Sequence, residues 1–196
     1  NDPIAVIFAT DLTDGVFTSS TWTVFRDRLT WLRETLYEIK KITNVNWLVK
    51  PHPNDEIYGV VTSTINEYEN ICLNLDHIKL FPEDVTKRSI TKFIDAALTL
   101  NCSAAYEYPC FGIPTIVPKE SDVSGFGFTI EPKSKDEFFC ELKNISELKK
   151  LNNVQVELAK IYTFIHLKLA PVRTNLIAPH GKEDVKNEKN YWNEMV

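Results

Sequence analysis

Short apolar runs alternate with longer amphipathic stretches along this chain. Residues 4–9, IAVIFA, read as a first strand, and 10–20 as a loop rich in Asp, Thr, Ser and Gly. Across 21–41, Trp22, Phe25, Leu29, Leu32, Leu36 and Ile39 recur at helical spacing and predict a long amphipathic helix. A second strand is expected at 45–49. A helix is expected at 59–69, where Val60, Val61, Ile65 and Tyr68 favour one face. A third short strand follows at 77–81, a helical turn beginning near Ser89, and a fourth strand at 96–100. A helix over 103–111 leads into a fifth strand at 113–117. Residues 126–130 read as a sixth strand or an edge segment. Ser134 is placed as the N-cap of a helix to about residue 142, Ser146 is placed to begin another, and 152–169 reads as a last helix.

Strands that alternate with helices imply a parallel sheet joined by right-handed crossovers. The fold class expected is therefore α/β: a Rossmann-like, doubly wound, mostly parallel sheet of five or six strands in the order 3-2-1-4-5. One domain spans 1–170. The polar tail 171–196 carries Pro179-His180-Gly181, Tyr191 and Trp192, and is expected to pack on that domain or on a missing N-terminal half. The chain opens on Asn1 rather than on methionine, and is expected to be a piece of a longer protein.

In open sheets of this kind ligands bind beyond the carboxyl ends of the strands, where the strand order reverses. Two segments fall at such ends. The first is Lys50-Pro51-His52-Pro53-Asn54 after strand two, where flanking prolines fix φ and hold the imidazole on a stiff loop. The second is 100–114, LNCSAAYEYPCFGIP, in which strand four stops at Asn101-Cys102-Ser103 and a helix begins. Ser103 is expected to cap that helix, and the free N–H groups at a helix start favour an anion. Glu107, one turn in, can accept hydrogen bonds from sugar hydroxyls. Phosphate plus sugar hydroxyl points to a nucleotide. Lys50 would add positive charge, and His52 could donate to a phosphate oxygen as ligand or general acid. Asp11, Thr13 and Asp14 on the loop after strand one, and Glu83 and Asp84 after strand three, are candidate loop contacts.

Composition narrows the picture further. The 196 residues are 43% hydrophobic and 25% charged, as in an ordinary globular domain. A net charge of −5 argues against a nucleic-acid partner. No apolar run approaches the roughly 20 residues of a membrane span. Cys72, Cys102, Cys110 and Cys140 form no C-x-x-C pair and read as free thiols of a cytoplasmic protein; the four histidines are too dispersed for a zinc pattern. There is no G-x-G-x-x-G and no Walker loop, which argues against dinucleotides and ATP hydrolysis. Trp22, Trp31 and Trp47 read as core residues.

KPHPND after a strand, followed by N-C-S-x-x-x-E-x-x-x-x-G-x-P, resembles the nucleotide-binding half of a GT-B glycosyltransferase. The likeness covers roughly residues 1–165 and lies with the capsule and surface-polysaccharide biosynthesis proteins, including the retaining Kdo transferases of capsule synthesis. Teichoic-acid glycerophosphotransferases and bacterial sialyltransferases are more distant. The flanks fit as well: Trp31-Leu32-Arg33-Glu34-Thr35 before the histidine loop, and Leu80-Phe81-Pro82-Glu83-Asp84 before the second motif. The resemblance implies the C-terminal, donor-binding domain, with His52 catalytic and Asn101, Cys102, Ser103, Glu107 and Lys50 on the nucleotide and its phosphate. It implies a nucleotide-sugar donor, CMP-linked, a glycan or glycolipid acceptor, and an N-terminal acceptor domain without which this chain is inactive. No cofactor and no metal are expected, and the location expected is cytoplasmic, with peripheral association of the full-length protein at the inner face of the membrane. Two enzyme alternatives are a CDP-glycerol-type glycerophosphotransferase and a sugar-nucleotide epimerase. An alternative of another class is a non-catalytic nucleotide- or glycan-binding domain. One departure matters: the family usually has Gly-Ser-Ser or Asn-Ser-Thr where this chain has Asn101-Cys102-Ser103, so a thiol replaces the first hydroxyl.

Overall fold

The computed structural model describes residues 2–12, 24–53, 62–118 and 121–170. Five strands form one sheet: β1 (Ile4–Phe8), β2 (Asn46–Lys50), β3 (Ile78–Leu80), β4 (Ala96–Thr99) and β5 (Thr115–Ile116). Their order is β3-β2-β1-β4-β5, and every pairing is parallel. The expected strand order is found. Strand order reverses between β1 and β4, so the crevice opens there.

Alternation along β1 explains why both faces of the sheet are covered. Ala5 and Ile7 point into one cluster, where Trp31, Leu32, Leu36 and Ile39 of α1 (Arg28–Ile39) are fully buried. Val6 and Phe8 point into the other, with Ile94, Ala104, Tyr108 and Ile113. A helix stripe of this kind stabilises by about 1.5–3 kcal/mol for each large side chain removed from water. Trp31 and Trp47 are core residues as read, and the Trp47 indole N–H donates to the Ile42 carbonyl at 3.2 Å. On the first face α1 is joined by α2 (Thr64–Cys72) and α4 (Lys135–Lys143). On the second lie α3 (Ala104–Glu107), which continues into a 3-10 turn at Tyr108–Phe111, and α5 (Asn153–Phe164), which ends in a π-turn at Ile165–Leu169. A third cluster of Ala105, Cys110, Val117, Val123, Phe128 and Ala159 lies under α5.

Several boundaries differ from the periodicity. α1 starts at Arg28 rather than near residue 21, because extended Asp27 accepts the Thr30 N–H and Phe25 turns aside to meet Phe138 edge-on at 5.2 Å. α2 starts at Thr64, since Ser63 caps it, and runs on to Cys72. Residues 126–130 make only a single bridge, Ile130 to Ile116. Gly125 and Gly127 both have positive φ, which interrupts an extended run. Ser134 caps α4 as expected, whereas Ser146 falls inside a 3-10 turn at Ile145–Glu147. The cap of α5 is Asn152, in a reciprocal capping box with Gln155. Trp22 and the tail 171–196 lie outside the described residues.

Candidate functional site

Register brings the strand ends together. Phe8 at the end of β1 is level with Lys50 of β2 and with Thr99 of β4, and the Ala9 N–H donates to the Lys50 carbonyl at 3.0 Å. The loops that leave these strands therefore start from one level. Between them lies a cavity of about 280 Å³, lined by Phe8 and Ala9, by Lys50, Pro51, His52 and Pro53, by Lys87, and by Asn101, Cys102 and Ser103. Two motifs separated by about fifty positions in the sequence thus share one cavity at the switch point of the sheet. A second lobe of about 520 Å³ lies on the other side of the Lys50–Pro53 loop, lined also by Ile65, Leu80, Phe81, Pro82 and Glu83. Together the lobes have the dimensions of a small-molecule site.

Lys50 links them. Its Nζ lies 4.4 Å from the centroid of the Phe81 ring, a cation–π contact. Burial pulls its pKa below the ordinary lysine value, and the positive charge of Lys87 pulls the same way. Lys87 was not singled out in the sequence, because its segment, between β3 and β4, has no motif of its own. Its backbone is held in place by Tyr108: the hydroxyl donates to the Lys87 carbonyl at 3.1 Å, and the ring packs on Phe8 at 4.6 Å. The one available hint was Tyr108 itself, a polar-tipped aromatic in an otherwise apolar turn.

The Asn101–Ser103 turn departs from the expected cap. Ser103 is in the αR conformation and its side chain makes no capping bond, so the hydroxyl is left on the cavity wall. Cys102 fills part of the role instead. Its sulfur accepts from the Thr99 hydroxyl at 3.0 Å, and the Ala104 backbone N–H also favours its charged form. Burial raises the Cys102 pKa, and the two donors oppose that rise only in part, so the group stays a thiol. Of the N–H groups expected to be free at this helix start, that of Ala105 is taken by the Cys102 carbonyl at 2.9 Å.

Glu107 is the least ordinary residue here. It is only 5% exposed and is not among the residues that line the cavity. Its Oε2 is buried and has no hydrogen-bond partner among the described residues. An unsatisfied buried carboxylate oxygen costs folding free energy and is the kind of group that a ligand hydroxyl relieves. The remaining candidates are dispersed. Asp11 is buried, and its carbonyl accepts from Arg28 Nη1 at 2.7 Å. Glu83 lines the second lobe, whereas Asp84 is exposed and lines neither. Thr13 and Asp14 lie outside the described residues. Among the described residues, no group of three His, Cys, Asp or Glu side chains is arranged to hold a metal ion, and no helix is long and apolar enough to cross a membrane. The four cysteines are free, with Cys72 and Cys110 buried and Cys140 exposed.

No family model and no curated protein matches the chain. Solved structures do. A candidate UDP-N-acetylglucosamine 2-epimerase from Listeria monocytogenes superposes with a TM-score of 0.52 at 11% identity, over 91% of this chain and 49% of that one. S. aureus MnaA, solved with UDP, gives 0.50 at 13% identity, over 90% and 49%. The chain spans about half the length of these structures. Its sheet is that of half a GT-B-type fold.

Proposed function

We propose that this chain is the nucleotide-sugar-binding half of a GT-B-type enzyme. Its role would be to hold the donor for glycosyl transfer in capsular or surface-polysaccharide synthesis. The observation that carries the reading is the meeting of Lys50, His52 and the Asn101–Ser103 turn around one cavity at the switch point of a parallel sheet. Phosphate belongs in that cavity: Lys50 supplies a fixed positive charge, Ser103 a hydroxyl, and His52 a donor that neutralises charge on the leaving phosphate oxygen. Glu107 would accept from a ribose hydroxyl, as the sequence resemblance implies and its orphaned oxygen allows, once a bound ligand draws this buried side chain toward the cavity it does not line here. The second lobe, floored by Leu80 and Phe81, takes the flat, apolar part of the ligand. The acceptor and the catalytic base come from a second half, in keeping with a chain that spans about half the length of the structures it resembles. The sequence resemblance favours a CMP-linked donor.

A sugar-nucleotide epimerase is the second reading. It is favoured by the two structural neighbours, one described as a UDP-N-acetylglucosamine 2-epimerase and the other solved with UDP. A thermal-shift panel of CMP, CDP, UDP and GDP separates the two. A ligand at a hundred times its Kd adds about 2.7 kcal/mol, or about 5–11 °C for a domain of this size. A shift with CMP alone supports transfer from a CMP-sugar, and a shift with UDP alone supports the epimerase. No shift with any of the four removes the nucleotide reading and leaves a non-catalytic domain.

A further inference from the structure

We propose that Lys87 is the second cation of the phosphate site, and that the cavity is built for a nucleoside diphosphate rather than a monophosphate. This rests on the nucleotide reading above and decides within it. Lys50 and Lys87 reach the same cavity from two different connections, and none of the described residues that line it is acidic. Two ammonium groups that share one cavity repel, which is the direction in which Lys87 moves the Lys50 pKa. A fold keeps such a pair only at a cost that an anion can reverse. The phosphate of a CMP-linked sugar is a diester with one negative charge and leaves one ammonium unmatched. The diphosphate of a UDP- or CDP-linked compound carries two and matches both.

Two features of the site point the same way. One neutral donor of this helix start is taken, since the Ala105 N–H goes to the Cys102 carbonyl. Positive charge comes from side chains, and Lys50 and Lys87 are the lysines among the described residues of the wall. Lys87 is also placed with care. The fully buried Tyr108 holds its carbonyl while packing on Phe8, whose strand end forms the cavity floor. Tyr108 is thus a positioning residue for Lys87.

Calorimetry with matched pairs, CMP against CDP and UMP against UDP, tests the assignment without regard to the base. In the parent the diphosphate of a pair is expected to bind about tenfold or more tightly, the scale of one charge-assisted contact. In Lys87→Met that preference should collapse, while Lys92→Met, which removes a nearby exposed lysine, keeps it. Tyr108→Phe should weaken diphosphate binding in the parent and have no further effect in Lys87→Met. The Lys50 pKa, followed by NMR of the methylated protein, should rise in Lys87→Met with no ligand present. Equal affinities within a pair, or a preference that survives Lys87→Met, overturns the inference and leaves the nucleotide reading standing. If no nucleotide binds, pyrophosphate against inorganic phosphate is the remaining probe. A pyrophosphate preference lost in Lys87→Met upholds the charge pair and sinks the nucleotide reading, and no such preference ends both.

Discussion

Replacing Glu107 should make the free protein more stable and the ligand-bound protein weaker. The residue is 5% exposed and its Oε2 has no hydrogen-bond partner among the described residues. An unsatisfied buried polar group costs about 1–3 kcal/mol. Leucine has similar bulk and a good helix propensity, so Glu107→Leu recovers that cost with little repacking. Against it stands the loss of a negative charge in the first turn of α3, about 0.3–1 kcal/mol. The net gain expected is about 1–2 kcal/mol, or about 2–8 °C in Tm. The same substitution removes the proposed acceptor for a ribose hydroxyl. A hydrogen bond to a charged group contributes about 1.5–3 kcal/mol, so nucleotide affinity should fall by about 10- to 150-fold. Urea unfolding of the free protein measures the first effect and calorimetry with the nucleotide that shifts the parent measures the second. Glu107→Gln, which keeps an unsatisfied polar end, should gain little stability. A Glu107→Leu protein that is less stable than the parent would refute the reasoning, because the carboxylate would then be a satisfied structural group. Unchanged affinity would remove Glu107 from the binding site.

Other outcomes follow from the same geometry. Arg33 clamps the buried Glu67 carboxylate with two 2.7 Å hydrogen bonds and Thr62 adds a third, with the Arg33 bond the largest cause of its lowered pKa. A depressed carboxylate pKa contributes stability that is present above the unfolded value near 4.5 and is lost as pH falls through the folded one. Arg33→Met should therefore cost about 1.5–3 kcal/mol in urea unfolding at pH 7 and much less near pH 3; equal losses at both would contradict this. A disulfide reagent at pH 7.5 should label one thiol quickly, the exposed Cys140, because burial raises the pKa of Cys72 to about 11 and also raises those of Cys102 and Cys110. A fast phase that persists in Cys140→Ser would show that Cys102 is reactive. Asn152→Ala, which breaks the capping box of α5, should lower stability by about 1 kcal/mol in thermal melts; an unchanged Tm would mean that α5 is held by packing alone.

The sequence by itself determined the architecture. Apolar runs such as IAVIF and NWLVK, separated by amphipathic stretches, admit few arrangements other than a parallel sheet with helices on both faces. The handedness of the crossovers then gave the order β3-β2-β1-β4-β5, and the rule that ligands sit at strand ends put His52 and Ser103 at one place. These features depend on local pattern and chirality, which a single chain displays. Tertiary structure decided what depends on neighbours distant in sequence. Whether Ser103 capped its helix turned on its backbone conformation, with the Ala105 and Tyr106 N–H groups going to the Cys102 and Ser103 carbonyls instead. Whether residues 126–130 formed a strand turned on two glycines with positive φ, and the start of α1 turned on where Phe25 found Phe138. Lys87 entered the site because a tyrosine twenty-one positions later holds its carbonyl. Glu107 became a buried side chain with one oxygen unpartnered among the described residues, rather than a surface acid at a helix start, only when the chain closed around it. Burial and partnership are properties of the assembled core, and no pattern along the chain encodes them one residue at a time.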